Sequence, residues 1–195
     1  MKKILLLLIL ICTLSNTMGI NKCFVSPIIN NAVYVDCEFD IIYNNLVSEV
    51  DNYINKISPS SQLGGKVIVD MCLKYDIDIM FVLAQGQIES HFGTTGTARK
   101  TNSVFNVGAF DGYSSSTQIK KGYGFEHPND SVEPYLILLS KNYLVNNKNT
   151  NDLMYNYVNK YGQRYASNTY YEKMMRNIYN RIDRTTNIKY YQTLI

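Results

Sequence analysis

Apolar side chains recur at helical spacing along most of the chain, and this pattern predicts an α-dominated domain. Ile42, Leu46, Val50, Tyr53 and Ile57 share one helical face, with Asp40 placed to cap it. Ser58-Pro59-Ser60-Ser61 ends that run. A second helix is expected over 62–75, with Val67, Met71 and Tyr75 in line. Asp76 or Asp78 then caps a third, in which Phe81, Ala84, Ile88 and Phe92 follow a 3-4-4 spacing and Gly93 marks the end. Farther on, Val132, Tyr135, Leu139 and Tyr143 line one side of a helix that tolerates Pro134 in its first turn. Thr150 opens a helix through Leu153, Tyr157 and Tyr161, closed by Gly162. Thr169 and Glu172 form a capping box for the last helix, whose core stripe is Tyr171, Met175, Ile178 and Ile182.

The stretch from Gly93 to Gly124 breaks this rhythm. It is rich in glycine, and Asp111-Gly112 is a strong turn signal between two arms, Val104 to Phe110 and Gln118 to Phe125. The expected fold is therefore mainly α, of α+β type: a helical lobe beside a small irregular β-hairpin lobe, with a substrate cleft between them. Ala32 to Val35 adds a short candidate strand near the start.

Composition narrows the class. With 195 residues and 46% hydrophobic content, the chain has room for one well-filled core. The net charge of +3 suits an anionic surface. No basic run interleaved with aromatics appears, so nucleic acid is not an expected partner. The 17 tyrosines can line a sugar groove, although most belong to core and rim. Residues 1–19 read as a signal peptide or an N-terminal anchor: Lys2-Lys3 precede an apolar run, Ile4 to Leu14, that is short for a membrane span. The expected compartment is the periplasm, the cell envelope or the exterior. Outside the leader, Cys23 and Cys37 could pair in an oxidising setting, whereas Cys72 falls within a helical pattern and reads as core. The two histidines, His91 and His127, belong to no ligand-spaced cluster, so neither metal nor cofactor is expected.

Candidate chemistry centres on Glu89. It stands near a helix C-terminus beside an apolar stripe, with Gln85 one turn earlier. The negative end of the helix dipole and loss of solvation both disfavour its charge, as a general acid requires. By spacing alone it also reads as an ordinary solvated glutamate in a last turn.

The surrounding residues carry a resemblance. Ala84-Gln85, Ile88-Glu89-Ser90 and Phe92-Gly93 resemble the Ala-Gln-x-x-Leu-Glu-Ser-x-aromatic-Gly motif of bacterial and phage cell-wall glucosaminidases, glycoside hydrolase family 73, in the lysozyme-like superfamily. Asn102 to Ala109 is similar to the family's Asn-x-Phe-Gly-Ile-Lys segment, and Asp130 to Tyr135 to its Ser-Ile helix start. Tyr165-Ala166-Ser167 with Tyr170-Tyr171 resembles the Tyr-Ala-Thr-x-x-x-Tyr closing motif. Departures are His91-Phe92 where Gly-Trp is common, and Val107-Gly108 where Gly-Ile is usual. The resemblance implies a lysozyme-like catalytic domain over 62–183, between a lead and helix over 20–61 and a tail over 184–195. It implies a monomeric peptidoglycan hydrolase, cutting the GlcNAc-β-1,4-MurNAc bond with Glu89 as general acid.

Glycoside hydrolysis needs that acid and a second group to capture or stabilise the oxocarbenium-like carbon. Asp111, at the hairpin tip, is the first candidate; Glu126 is the next, and the substrate's own N-acetyl oxygen is a third route. Glu133 reads instead as a first-turn helix residue. Tyr165 matches the closing tyrosine, where its hydroxyl could hold the N-acetyl group or orient the nucleophile. Gln85, Phe105, Asn106, Tyr123 and Tyr170 are the candidate substrate contacts. Rival readings are a lytic transglycosylase or muramidase on the same fold, and a non-catalytic wall-binding or virion-structural module.

Overall fold

The computed structural model describes residues 37–108 and 114–195. The chain divides into two units after Asp40, and the site lies within the second, Ile41–Ile195. The leader, the candidate strand at Ala32 to Val35, Cys23 and its pairing with Cys37, and Asp111 all lie outside the described residues or side chains.

The principal helices are α1 (Cys37–Ile57), α2 (Gly65–Tyr75), α3 (Ile79–Ser90), α6 (Val132–Asn142) and α8 (Tyr171–Thr185). Short helices α4 (Ala98–Thr101), α5 (Ser115–Lys120), α7 (Thr150–Leu153) and α9 (Ile188–Gln192) join or follow them, and a 3-10 turn spans Pro128–Ser131. Among the described residues no strand forms; the nearest approach is an isolated antiparallel bridge between Val158 and Arg164.

Helix α3 is the centre of the core. Every residue from Ile79 to Gln87 is buried. The 3-4-4 stripe therefore understates the burial, since a helix that packs on every side needs no polar face. Helices α2, α8 and α9 pack against it, and α6 packs against α2. Gly86 permits a close approach. A Cβ there would stand 3.2 Å from the rings of both Phe105 and Phe92. Asp78 is the cap, its carboxylate accepting from the amides of Met80 and Phe81. Asp76 instead ends α2 in the left-handed conformation. The buried side of α2 is Ile68, Val69 and Cys72, one position round from the predicted Val67, Met71 and Tyr75, which are half-buried. Cys72 is indeed core.

Asp78 also accepts a hydrogen bond from the Tyr179 hydroxyl of α8 at 2.7 Å. Asp78→Ala removes both the cap and this tie. The expected loss of stability is roughly 1 to 2 kcal/mol, read as a lower urea midpoint. An unchanged midpoint would show that neither bond matters.

Two predicted helices are corrected. The helix begun at Thr150 stops at Leu153, capped by Asn149 and Asp152. The amide of Tyr157 donates to the Glu172 carboxylate, and that of Lys160 to the Asn142 carbonyl, so neither serves a helix. Helix α8 starts at Tyr171 with no side-chain cap. Glu172 forms no capping box with Thr169, because its carboxylate holds Arg164 at 2.7 Å and the Tyr157 amide. Burial opposes its ionisation, but these donors outweigh it and hold the carboxyl below the usual glutamate range.

The hairpin lobe is corrected as well. The described part of its first arm, Val104 to Gly108, follows turns, with Asn106 and Gly108, like Asn102 before them, at positive φ, a backbone state foreign to extended strands. The start of its second arm, Gln118 to Lys120, is the end of helix α5, where the Ser114 hydroxyl accepts from the Thr117 amide as an N-cap. The arms still meet: a Cβ on Gly108 would fall 2.1 Å from the Tyr123 ring.

Candidate functional site

The end of α3 places Glu89. The helix closes at Ser90, and His91 follows in the left-handed region, φ 46°, its amide donating back to the Gln87 carbonyl. The glycine usual in the resembling family would meet no steric cost there; histidine pays one. The Ser90 hydroxyl donates to the Val104 carbonyl at 2.6 Å and accepts from the Gly93 amide at 2.8 Å. One buried hydroxyl thus ties the helix end to the segment that carries Asn106.

Two side chains hold the half-buried Glu89 carboxyl. The Tyr171 hydroxyl, at the start of α8, donates to Oε1 at 2.5 Å. Asn106 Nδ2 donates to Oε2 at 3.1 Å and to the Glu89 backbone oxygen at 2.9 Å, a carbonyl that the helix end leaves without an intrahelical partner. Burial pushes the Glu89 carboxyl above the usual glutamate range, and the bonds from Tyr171 and Asn106 pull it part of the way back. No cation and no second carboxylate is among the groups that shift it. Burial, then the Glu89 charge, push the Tyr171 phenol well up, so it keeps its proton and donates. The arrangement is a carboxyl that burial makes a weaker acid, with two donors placed to stabilise its ionised form.

The other sequence candidates fall in three places. Asn106 and Phe105 lie on the turn beside Glu89, but Phe105 is fully buried, stacked on Tyr135 with centroids 3.9 Å apart. Gln85 is also fully buried, and its amide oxygen accepts from Tyr135 at 2.5 Å and Tyr157 at 2.7 Å. In this conformation neither Phe105 nor Gln85 reaches solvent. Tyr123 is half-buried against Gly108, and Tyr170 is exposed. Tyr165 is half-buried, and its hydroxyl donates to the Phe105 carbonyl at 3.0 Å rather than to Glu89. Glu126 is exposed, with its backbone oxygen held by Asn102. Glu133 sits in the first turn of α6, as expected, and pairs with Lys74 at 2.6 Å.

Tyr171 is the residue that sequence reasoning missed, having been read as part of a core stripe. The signal was present: with three residues intervening after Tyr165-Ala166-Ser167, the closing motif's second tyrosine falls on Tyr171, not Tyr170. A pocket of about 470 Å³ lies past the helix end, walled by Ser60, Gln62, Phe92, Gly93, Thr94, Arg99, Asn102 and Pro128. Glu89 is not in its wall. Among the described residues, no group of three or more His, Cys, Asp or Glu side chains converges as metal ligands would.

The family model described as mannosyl-glycoprotein endo-beta-N-acetylglucosaminidase matches residues 65–184. That span includes Glu89, Asn106 and Tyr171. No curated protein and no solved structure matches the chain.

Proposed function

The chain belongs to the glucosaminidase family, and we propose that it is an endo-β-N-acetylglucosaminidase that hydrolyses peptidoglycan, with Glu89 as the general acid. The observation that carries this is the setting of Glu89. A carboxyl whose hold on its proton is strengthened by burial, with two donors on its oxygens, suits protonation of a glycosidic oxygen. As the proton leaves, negative charge grows on Glu89. The Tyr171 and Asn106 bonds then strengthen, and the gain falls in the transition state.

No second carboxylate is among the groups that shift Glu89, and the candidates for the second group are Asp111, Glu126 and the substrate's N-acetyl oxygen. Asp111→Asn tests the first of them. If Asp111 is base or nucleophile, turnover on intact peptidoglycan falls about as far as it does without the acid, on the order of 10² to 10⁴. Near-normal turnover rules Asp111 out, and Glu126→Gln is the next variant to test before the step passes to the N-acetyl group.

Digestion of purified peptidoglycan with mass analysis of the fragments tests the bond. The expected fragments carry reducing N-acetylglucosamine ends. Reducing N-acetylmuramic acid would assign a muramidase, and 1,6-anhydro ends a lytic transglycosylase. The basic and apolar run from Lys2 to Leu14 supports action outside the cytoplasm. N-terminal sequencing of the exported chain checks it.

A further inference from the structure

We propose that Gln85 is the positioning residue of this site, its single amide oxygen fixing, along two separate aromatic stacks, both groups that hold the Glu89 carboxyl. The inference deepens the reading of Glu89 as the acid and rests on it.

The first path runs through Tyr157. Its hydroxyl donates to Gln85 Oε1 at 2.7 Å. Its ring stacks on Tyr165, with centroids 4.6 Å apart and planes 18° apart. Tyr165 lies 5.7 Å from the Tyr171 ring, and Tyr171 donates to Glu89 Oε1. The second path runs through Tyr135. Its hydroxyl donates to the same Gln85 oxygen at 2.5 Å. Its ring stacks on Phe105 at 3.9 Å, nearly parallel. Phe105 precedes Asn106, the other donor to Glu89. The Tyr165 hydroxyl on the Phe105 carbonyl links the two paths.

The chemistry of Gln85 fits this use. Both lone pairs of Oε1 are taken by phenols, while Nε2 is buried without a partner. A residue present only to fill space would be apolar and would leave no buried donor orphaned. The amide is kept for its oxygen. Gln85 also sits one turn before Glu89 on α3, so the helix that carries the acid carries the anchor of the acid's partners. Because α3 and the tyrosines are close-packed, a phenol that loses its acceptor has to move its ring to find another, and the stacked ring moves with it.

The test reads the Glu89 carboxyl itself. Glu δ-carbon NMR of the full chain, assigned with Glu89→Gln, follows its titration. Its titratable surroundings are the phenols of Tyr171, Tyr165 and Tyr157, each of which feels the Glu89 charge. Among the groups that shift Glu89 itself, Tyr171 and Asn106 are the donors and none is charged. Tyr171→Phe removes a donor to the carboxylate, so the Glu89 midpoint rises. In folded Gln85→Met, which keeps the volume and removes the acceptor, the midpoint is expected to rise likewise, and adding Tyr171→Phe to raise it little further. The rate falls through kcat with KM unchanged, by about tenfold or more. A Gln85→Met midpoint equal to the wild type, or a Tyr171→Phe shift that adds in full, overturns the proposal. If Gln85→Met does not fold, Tyr135→Phe with Tyr157→Phe removes only the two hydroxyls and carries the same two outcomes. The midpoint is measured without substrate. If Glu89→Gln keeps its activity while the Gln85 effect stands, the acid assignment fails and the positioning survives.

Discussion

Glu89→Gln is expected to abolish wall-lytic activity and to make the folded protein more stable at neutral pH. Loss of a general acid costs on the order of 10² to 10⁴ in rate. The amide keeps the shape of the side chain and can still accept from Tyr171, so the fold is retained. The stability gain follows from the direction of the Glu89 shift. An unfolded glutamate titrates near its ordinary value of 4.5, and burial makes the folded one hold its proton to higher pH. Ionised Glu89 therefore costs the fold. That cost is absent below the unfolded value, grows as pH rises from it through the folded value, and is fully present above. Glutamine carries no such cost. Denaturation at neutral pH should show the variant ahead, and the difference should vanish below 4.5. Wild-type turnover by the folded variant would remove Glu89 from the mechanism. An equal midpoint at both pH values would show that its burial carries no penalty.

Tyr171→Phe is expected to cost more than Tyr165→Phe. The Tyr171 hydroxyl touches the carboxyl that becomes an anion as it gives up its proton, and a hydrogen bond to a charged group is worth about 1.5 to 3 kcal/mol, roughly tenfold to a hundredfold in rate. The Tyr165 hydroxyl reaches only the Phe105 carbonyl, a neutral bond worth about 1 kcal/mol, so its loss should cost about fivefold. The pH profile adds a second sign. With Glu89 as the proposed acid, activity is expected to fall as pH rises through its folded value. Removing a donor to the carboxylate raises that value further, so the alkaline limb of Tyr171→Phe moves to higher pH. Rates on one peptidoglycan preparation across pH test both statements. A Tyr165→Phe loss as large as the Tyr171→Phe loss would return the closing role to Tyr165.

The amino-acid sequence by itself determined the main helical elements, a cap at Asp76 or Asp78, the core placement of Cys72 and the candidacy of Glu89. Helical periodicity, caps and breakers are local, and the motif around Glu89 is contiguous. Tertiary packing decided the rest. It buried α3 on every side, because three helices surround it, and so turned Gln85 from a candidate sugar contact into an internal anchor. It ended α7 at Leu153, because the Tyr157 amide found a carboxylate 15 residues away. It replaced the predicted strand arms with a turn and a short helix, because the asparagines at 102 and 106 adopt left-handed φ and Ser114 caps. It chose Tyr171 over Tyr165 as the partner of Glu89 across a separation of 82 residues. Periodicity reports which side of an element is apolar; which hydroxyl meets which carboxylate depends on how distant helices pack, and no local pattern encodes that.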